Sequence, residues 1–220
     1  MAKVGVLLSG CGVLDGAEIH EAVLVLLALD RAGARIDCVA PNVDQLHVID
    51  HLSGEVTGET RNVLVESARI ARGSVRDVAS AKADQFDALI LPGGFGAAKN
   101  LCDFATAGAA AKVHPEVGRL VGEMLAARKP IGAACIAPAV LATVLRDRGE
   151  HGALTIGNDE SYAQTLRSMG AEHLACPVDQ MRVDEERRIV TTPAYMLAGR
   201  ISEAAAGIER MVAEVLRLAR

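Results

Sequence analysis

The chain predicts a mainly parallel α/β sheet with helices on both faces, and three observations point to it. Short apolar runs alternate along the chain with longer segments of helical period. Three of those runs, Lys3–Leu8, Phe86–Leu91 and Pro130–Ala134, lead directly into a glycine-bearing loop or into a cysteine at a helix start. Half of the 220 residues are apolar but only 2% are aromatic, with no Trp, so one sizeable core is built from Ala, Val, Leu and Ile. A single domain spanning residues 1–220 is expected, since no repeat, linker or low-complexity tract divides it.

Taken in order, KVGVLL at Lys3–Leu8 reads as a buried strand that ends in the turn Ser9-Gly10-Cys11-Gly12. A helix follows from about Ala17 to Ala32, nearly all apolar after Glu21, with Gly33 as its C-terminal cap. Arg35–Ala40 is a second strand, halted by Pro41. Leu46–Leu52 reads as a further strand before the turn Ser53-Gly54. Val63, Leu64, Ser67, Ala68 and Ala71 form one stripe of a helix over Arg61–Arg72. Phe86–Leu91 is a clear strand, running into Pro92-Gly93-Gly94-Phe95-Gly96. Pro115 opens a helix to about Arg128, since proline suits a first helical turn. Pro130–Ala134 is a short strand, followed at once by a helix over Ile136–Leu145. Leu154–Ile156 is a strand candidate and Ser161–Met169 a helix. Met181–Val183 pairs with Arg188–Thr191, and a helix closes the chain from about Gly199 to Leu218. Ligands in folds of this kind bind beyond the carboxyl ends of the strands.

Charge and composition remove several function classes. A formal net charge of -5 repels a polyanion, and almost no aromatic side chain is available to stack on bases, so nucleic acid is not an expected partner. The apolar run Val4–Leu8 is too short for a secretory signal, and no stretch approaches the roughly 18 residues of a membrane span. A cytoplasmic protein is the expectation. The five cysteines, Cys11, Cys38, Cys102, Cys135 and Cys176, are odd in number and widely spaced, which argues against a disulfide framework or a thiolate metal site. No metal and no cofactor are expected.

Cys135 carries the strongest chemical signal. It stands where a buried strand passes directly into a helix, a geometry that exposes a nucleophile at the top of a sheet. A helix N-terminus favours thiolate over thiol, so a lowered pKa is expected. Small neighbours, Ala133, Ala134 and Ala137, suit a crowded elbow. The bland reading is a cysteine used as a small apolar filler. Opposite it, PGGFG lets backbone N–H groups approach a ligand, and the N–H groups of Gly94 and Ile136 are suited to form an oxyanion hole. Asp15, Glu18 and Glu21 follow the first strand, and Glu18 and Glu21 share one helix face. A carboxyl beside a thiolate can donate a hydrogen bond or shuttle a proton. As bland readings, such acids cap the helix N-terminus.

Two alternatives fail on the residues. In Gly10-Cys11-Gly12-Val13-Leu14-Asp15-Gly16 the third glycine comes one residue too late for a dinucleotide fingerprint, and Asp37 lies inside the second strand rather than at its end. The six histidines, among them His20 and His51, show no metal spacing, and none follows a late strand with an acid two residues on. Each reads as a surface or interface residue.

Together, SGCGVLDGAEIHEAV, HLSGE, ETRNVL, LPGGFGAAKNL, CIAPA and TTPAYML resemble the ElbB family of the PfpI-like branch of the class I glutamine-amidotransferase-like superfamily, nearly throughout the chain. The resemblance implies a flavodoxin-like three-layer sandwich, a nucleophile elbow, a homodimer and a glutathione-independent glyoxalase activity. It carries the catalytic cysteine to Cys135, the acid of the first helix to Glu21, with Glu18 as fallback, and the oxyanion and substrate-binding positions to Gly93, Gly94 and Ile136. Two departures matter: the late strand runs into Thr191-Thr192-Pro193-Ala194 with no His, and Ile136 stands where proteases of the branch place His. Amide hydrolysis therefore lacks its general base. The expected function is conversion of glyoxal or a similar small dicarbonyl to a hydroxy acid through the Cys135 thiolate. The competing expectation is a redox-sensing or regulatory protein that oxidises the same cysteine.

Overall fold

The apolar run at the N-terminus forms β1 (Lys3–Leu7), an interior strand of a seven-stranded sheet with strand order β3-β2-β1-β4-β5-β9-β8. The structure is a computed structural model and describes residues 1–220. Helix α1 (Ile19–Arg31) returns the chain to β2 (Arg35–Ala40), and α2 (Val63–Ile70) returns it to the edge strand β3 (Val75–Asp77). The chain then re-enters on the other side of β1 as β4 (Ala88–Leu91). A π-helical turn at Ala97–Leu101, the short α3 (Phe104–Ala107) and α4 (Pro115–Ala126) lead to β5 (Ile131–Ala134). Next come α5 (Pro138–Asp147), the outlying parallel pair β6 (Ala153–Leu154) and β7 (Glu172–His173), and between those two strands α6 (Glu160–Ser168). The antiparallel hairpin β8 (Arg182–Asp184) and β9 (Ile189–Thr192) precedes α7 (Ile201–Leu218).

Every pairing in the large sheet is parallel except β8 with β9. The fold is thus the flavodoxin-like α/β sandwich: α1, α2 and α7 pack on one face and α4 and α5 on the other. Strands β1, β4, β5 and β9 are buried almost throughout, as a sheet covered on both faces requires. The strand order reverses between β1 and β4, so the loops after these two strands splay apart and leave the crevice in which such folds bind ligands.

Three sequence expectations change. Leu46–Leu52 is not a strand: it makes one bridge, Ile49 to Val56, and its N–H groups go to side chains instead. Leu46 N donates to Asn100 Oδ1 and Ile49 N to Asp15 Oδ2. Strand β3 takes the sheet edge next to β2. That strand, three half-buried residues long, has too little apolar pattern to be read from sequence. Finally, α5 begins at Pro138, with Cys135 in the turn before it.

Candidate active site

Strand β5 delivers Cys135 to the crevice. Its N–H still bonds to the neighbouring strand, at Thr192 O (3.0 Å), but its φ is +58°, the left-handed region that costs a side-chain-bearing residue energy. This strained residue is the elbow: the backbone leaves the sheet sharply and enters α5 three residues later. Cys135 remains 7% exposed.

Helix α1 delivers Glu21. Glu18 caps this helix, with Glu18 Oε2 accepting from Glu21 N at 2.6 Å, and that register turns the Glu21 side chain inward. Glu21 is fully buried, and both of its carboxyl oxygens accept backbone N–H groups. Gly93 N donates to Oε2 at 2.9 Å, and Tyr195 N donates to Oε1 at 3.1 Å. The third contact of Glu21 is the Cys135 thiol, within hydrogen-bonding reach. Of the two acids on this face, Glu21 therefore meets the cysteine, and Glu18 serves as the cap.

The loop after β4 closes the site. Gly93 lies between the two reactive side chains: a Cβ there would fall 2.4 Å from Cys135 Cβ and 2.5 Å from Glu21 Oε2. Gly94 takes φ +95°, and a Cβ on it would fall 2.3 Å from Glu18 N. The backbone N–H groups of Gly94 and Ile136 lie on the Cys135 side of the site and favour the charged form of its sulfur. Cys135, Glu21, Gly93, Gly94 and Ile136 thus converge from three separate segments.

Electrostatics in the site differ from the sequence expectation. Burial pushes the Glu21 carboxyl up to about 7, against the N–H bonds from Tyr195 and Gly93 that favour its charge. Burial and the neighbouring Glu21 carboxylate push the Cys135 thiol well above its ordinary value, and the Gly94 and Ile136 N–H groups oppose this. The expected lowered thiol pKa is corrected: in a closed site, desolvation outweighs the helix terminus. Two buried acids in contact share one negative charge and titrate as a pair, carboxylate with thiol or carboxylic acid with thiolate. The second form supplies a nucleophile without a histidine.

Sequence reasoning missed two neighbours. Tyr195 follows β9 on a short helical turn and holds Glu21 through its N–H. Its hydroxyl lies 2.8 Å from His20 Nδ1, so His20, read from sequence as an unspecialised surface residue, stands at the rim. Asp15 lies elsewhere, binding Ile49 N and approaching His51. All five cysteines are free thiols.

Comparison with known proteins agrees with this fold. A profile of the DJ-1/PfpI family matches residues 11–151. The chain is 46% identical over 227 residues to human glutamine amidotransferase-like class 1 domain-containing protein 3, mitochondrial, covering 99% of this chain and 83% of that protein. It is 44% identical over 227 residues to the rat ES1 protein homolog, mitochondrial, covering 99% and 84%. Among solved structures, an isoprenoid biosynthesis protein with an amidotransferase-like domain from Ehrlichia chaffeensis superposes with a TM-score of 0.94 at 40% identity, over 100% of both chains. The mitochondrial names of the two relatives overturn the cytoplasmic expectation. That expectation rested on the lack of a membrane span, and no helix here is long and apolar enough to cross a membrane. Such a lack constrains insertion and carries no information on compartment.

Proposed function

The chain belongs to the DJ-1/PfpI family, and on that premise we propose that it is an ElbB-like, cofactor-independent glyoxalase-type enzyme acting on glyoxal or a related small dicarbonyl. One observation carries the reading: a buried carboxyl and a buried thiol in contact, with two backbone N–H groups directed at the sulfur. An aldehyde carbon is electrophilic enough to be attacked without a catalytic triad.

The steps balance without an outside oxidant. The Cys135 sulfur forms a bond to one aldehyde carbon, and the carbonyl π pair moves to oxygen, which takes the Glu21 proton. Gly94 and Ile136 N–H groups hold that oxygen as charge develops. Glu21, now a carboxylate, removes the proton from the hemithioacetal carbon and returns it to the adjacent carbon through an enediol. One carbon is oxidised to a thioester as the other is reduced to an alcohol. Glu21 takes a proton from water as it attacks the thioester, the carbon–sulfur bond breaks, and glycolate leaves with the second proton released to solvent, which restores the thiolate and the Glu21 acid. Conversion of glyoxal to glycolate, absent in Cys135→Ala, tests this; equal turnover in that variant ends it.

A second reading, a redox sensor, is favoured by the near closure of the thiol, which admits a small oxidant more easily than a substrate. Oxidation of Cys135 by dilute peroxide together with no aldehyde turnover would select it. We infer in addition that the chain is a homodimer. Ile19, Val23 and Leu27, spaced four apart on the outer face of α1, are 44%, 47% and 38% exposed. Val23 and Leu27 line a cavity of about 570 Å³ together with Leu26, Ile36 and Ile70.

A further inference from the structure

The first turn of α1 and the turn after β9 meet at a two-point clamp. Tyr195 grips two consecutive residues of α1: its N–H bonds to Glu21 Oε1 at 3.1 Å, and its hydroxyl bonds to His20 Nδ1 at 2.8 Å. The two rings are tilted at 46° with centroids 5.8 Å apart. Neither the hydroxyl nor the imidazole is needed for the chemistry proposed above. The backbone that carries Tyr195 does need holding, because Ala194 takes φ +43°, a left-handed conformation that persists only where surrounding contacts fix it. The hydroxyl–imidazole bond is the side-chain contact that does so from the rim.

We propose that Tyr195 and His20 are positioning residues, which set how the Cys135–Glu21 pair shares its proton by pinning the Tyr195 N–H against Glu21. The assignment of that pair as the reactive centre is the reading above, on which this inference rests. The titratable groups around Glu21 are Glu18 and His20 on α1, Cys135 after β5 and Tyr195 after β9; the loop after β4 contributes only backbone N–H. Both N–H groups that favour the Glu21 carboxylate are backbone, from Gly93 and Tyr195, and the Tyr195 N–H holds the Oε1 oxygen. Freed from its pin, that N–H withdraws stabilisation from the carboxylate. Ionisation of the pair then requires higher pH, and more of the single charge resides on sulfur.

The consequence differs from that of simple damage. In Tyr195→Phe and in His20→Ala, the midpoint of Cys135 alkylation against pH moves up by about one unit, the scale of one hydrogen bond to a charged group. The plateau rate at high pH is kept or raised, while glyoxal turnover near neutral pH falls about 10-fold because Glu21 is a poorer acid toward the developing alkoxide. His20→Asn, whose amide oxygen reaches the place of Nδ1, restores the wild-type midpoint. The experiment is iodoacetamide labelling of the Cys135 peptide from pH 5 to 10, read by mass spectrometry, with turnover measured in parallel. An unmoved midpoint in both Tyr195→Phe and His20→Ala overturns the proposal, as does a uniform fall in plateau rate with no shift. Lack of turnover in the wild type would remove the glyoxalase reading, while the alkylation midpoint would still judge the clamp.

Discussion

At the scale of single residues, the site is governed by two facts, crowding at Gly93 and burial of Glu21. Gly93→Ala places a methyl group 2.4 Å from Cys135 Cβ and 2.5 Å from Glu21 Oε2, well inside contact distance. The cheapest response is for the two side chains to part. Glyoxal turnover is then expected to fall by about 100-fold, as for a misplacement of about 1 Å, with a stability cost of about 1–3 kcal/mol. Steady-state rates and urea unfolding check the two together; unchanged kcat would mean that the contact is dispensable. Burial raises Glu21 from an ordinary value near 4.5 to about 7. Between those values the folded chain holds a proton that the unfolded chain has lost, so stability falls as pH rises. The associated contribution is fully present below about pH 4.5 and gone above about pH 7, and amounts to about 3 kcal/mol. Glu21→Gln has no such slope. Its stability relative to wild type should therefore improve by about that amount between pH 4.5 and pH 8 in paired urea titrations. A pH-independent difference would show that Glu21 is not raised.

At the scale of elements, the regular parts announce themselves and the irregular parts do not. Strands β1, β4 and β5 are apolar runs closed by glycine or cysteine, and α7 carries Ile208, Val212 and Val215 at helical spacing. Local pattern suffices for these. Residues 45–56 have an apolar pattern that resembles a strand, yet their partners are side chains far away in sequence. Asn100, on the π-helical turn, is the main one. It is buried, accepts from Leu46 N, and donates to both Ser9 O and Asp15 O at 2.9 Å. Asn100→Leu fills similar volume but leaves the two buried carbonyls of Ser9 and Asp15 and the Leu46 N–H without their partner, so a loss of about 3 kcal/mol is expected, with the 45–60 segment becoming the first site of proteolysis. Urea unfolding and limited digestion with a glutamyl endopeptidase, which can cut at Glu55 and Glu59, measure these effects; wild-type protection of the segment would refute the role. Tyr195 escaped the sequence for the same reason. Its contribution to the site is a backbone N–H placed by a turn, and any residue carries one.

At the scale of the whole molecule, the reversal of strand order between β1 and β4 explains why residues from positions 21, 93 and 135 meet. The elbow cysteine and the glycine loop were legible as types of local structure. Which of Glu18 and Glu21 faces the sulfur depended on the helix cap, which only coordinates fix. The same helix bears on assembly. Its inner side carries Glu21, Ala22, Val25 and Leu29 into the core, while Ile19, Val23 and Leu27 remain on the outer side beside an apolar groove. Leaving three large apolar residues at four-residue spacing exposed is costly in water. A two-fold copy that buries this face on itself removes that cost, at about 1.5–3 kcal/mol for each side chain fully covered. We therefore expect the protein to run as a dimer in size-exclusion chromatography with light scattering. Val23→Glu combined with Leu27→Glu should make it a monomer, since the paired charges would meet their own copies across the two-fold axis. Neither side chain belongs to the reactive centre, so the alkylation midpoint of Cys135 is expected to stay in place in that monomer. A wild-type monomer, or a double variant that remains dimeric, would show that this face is not where two copies meet.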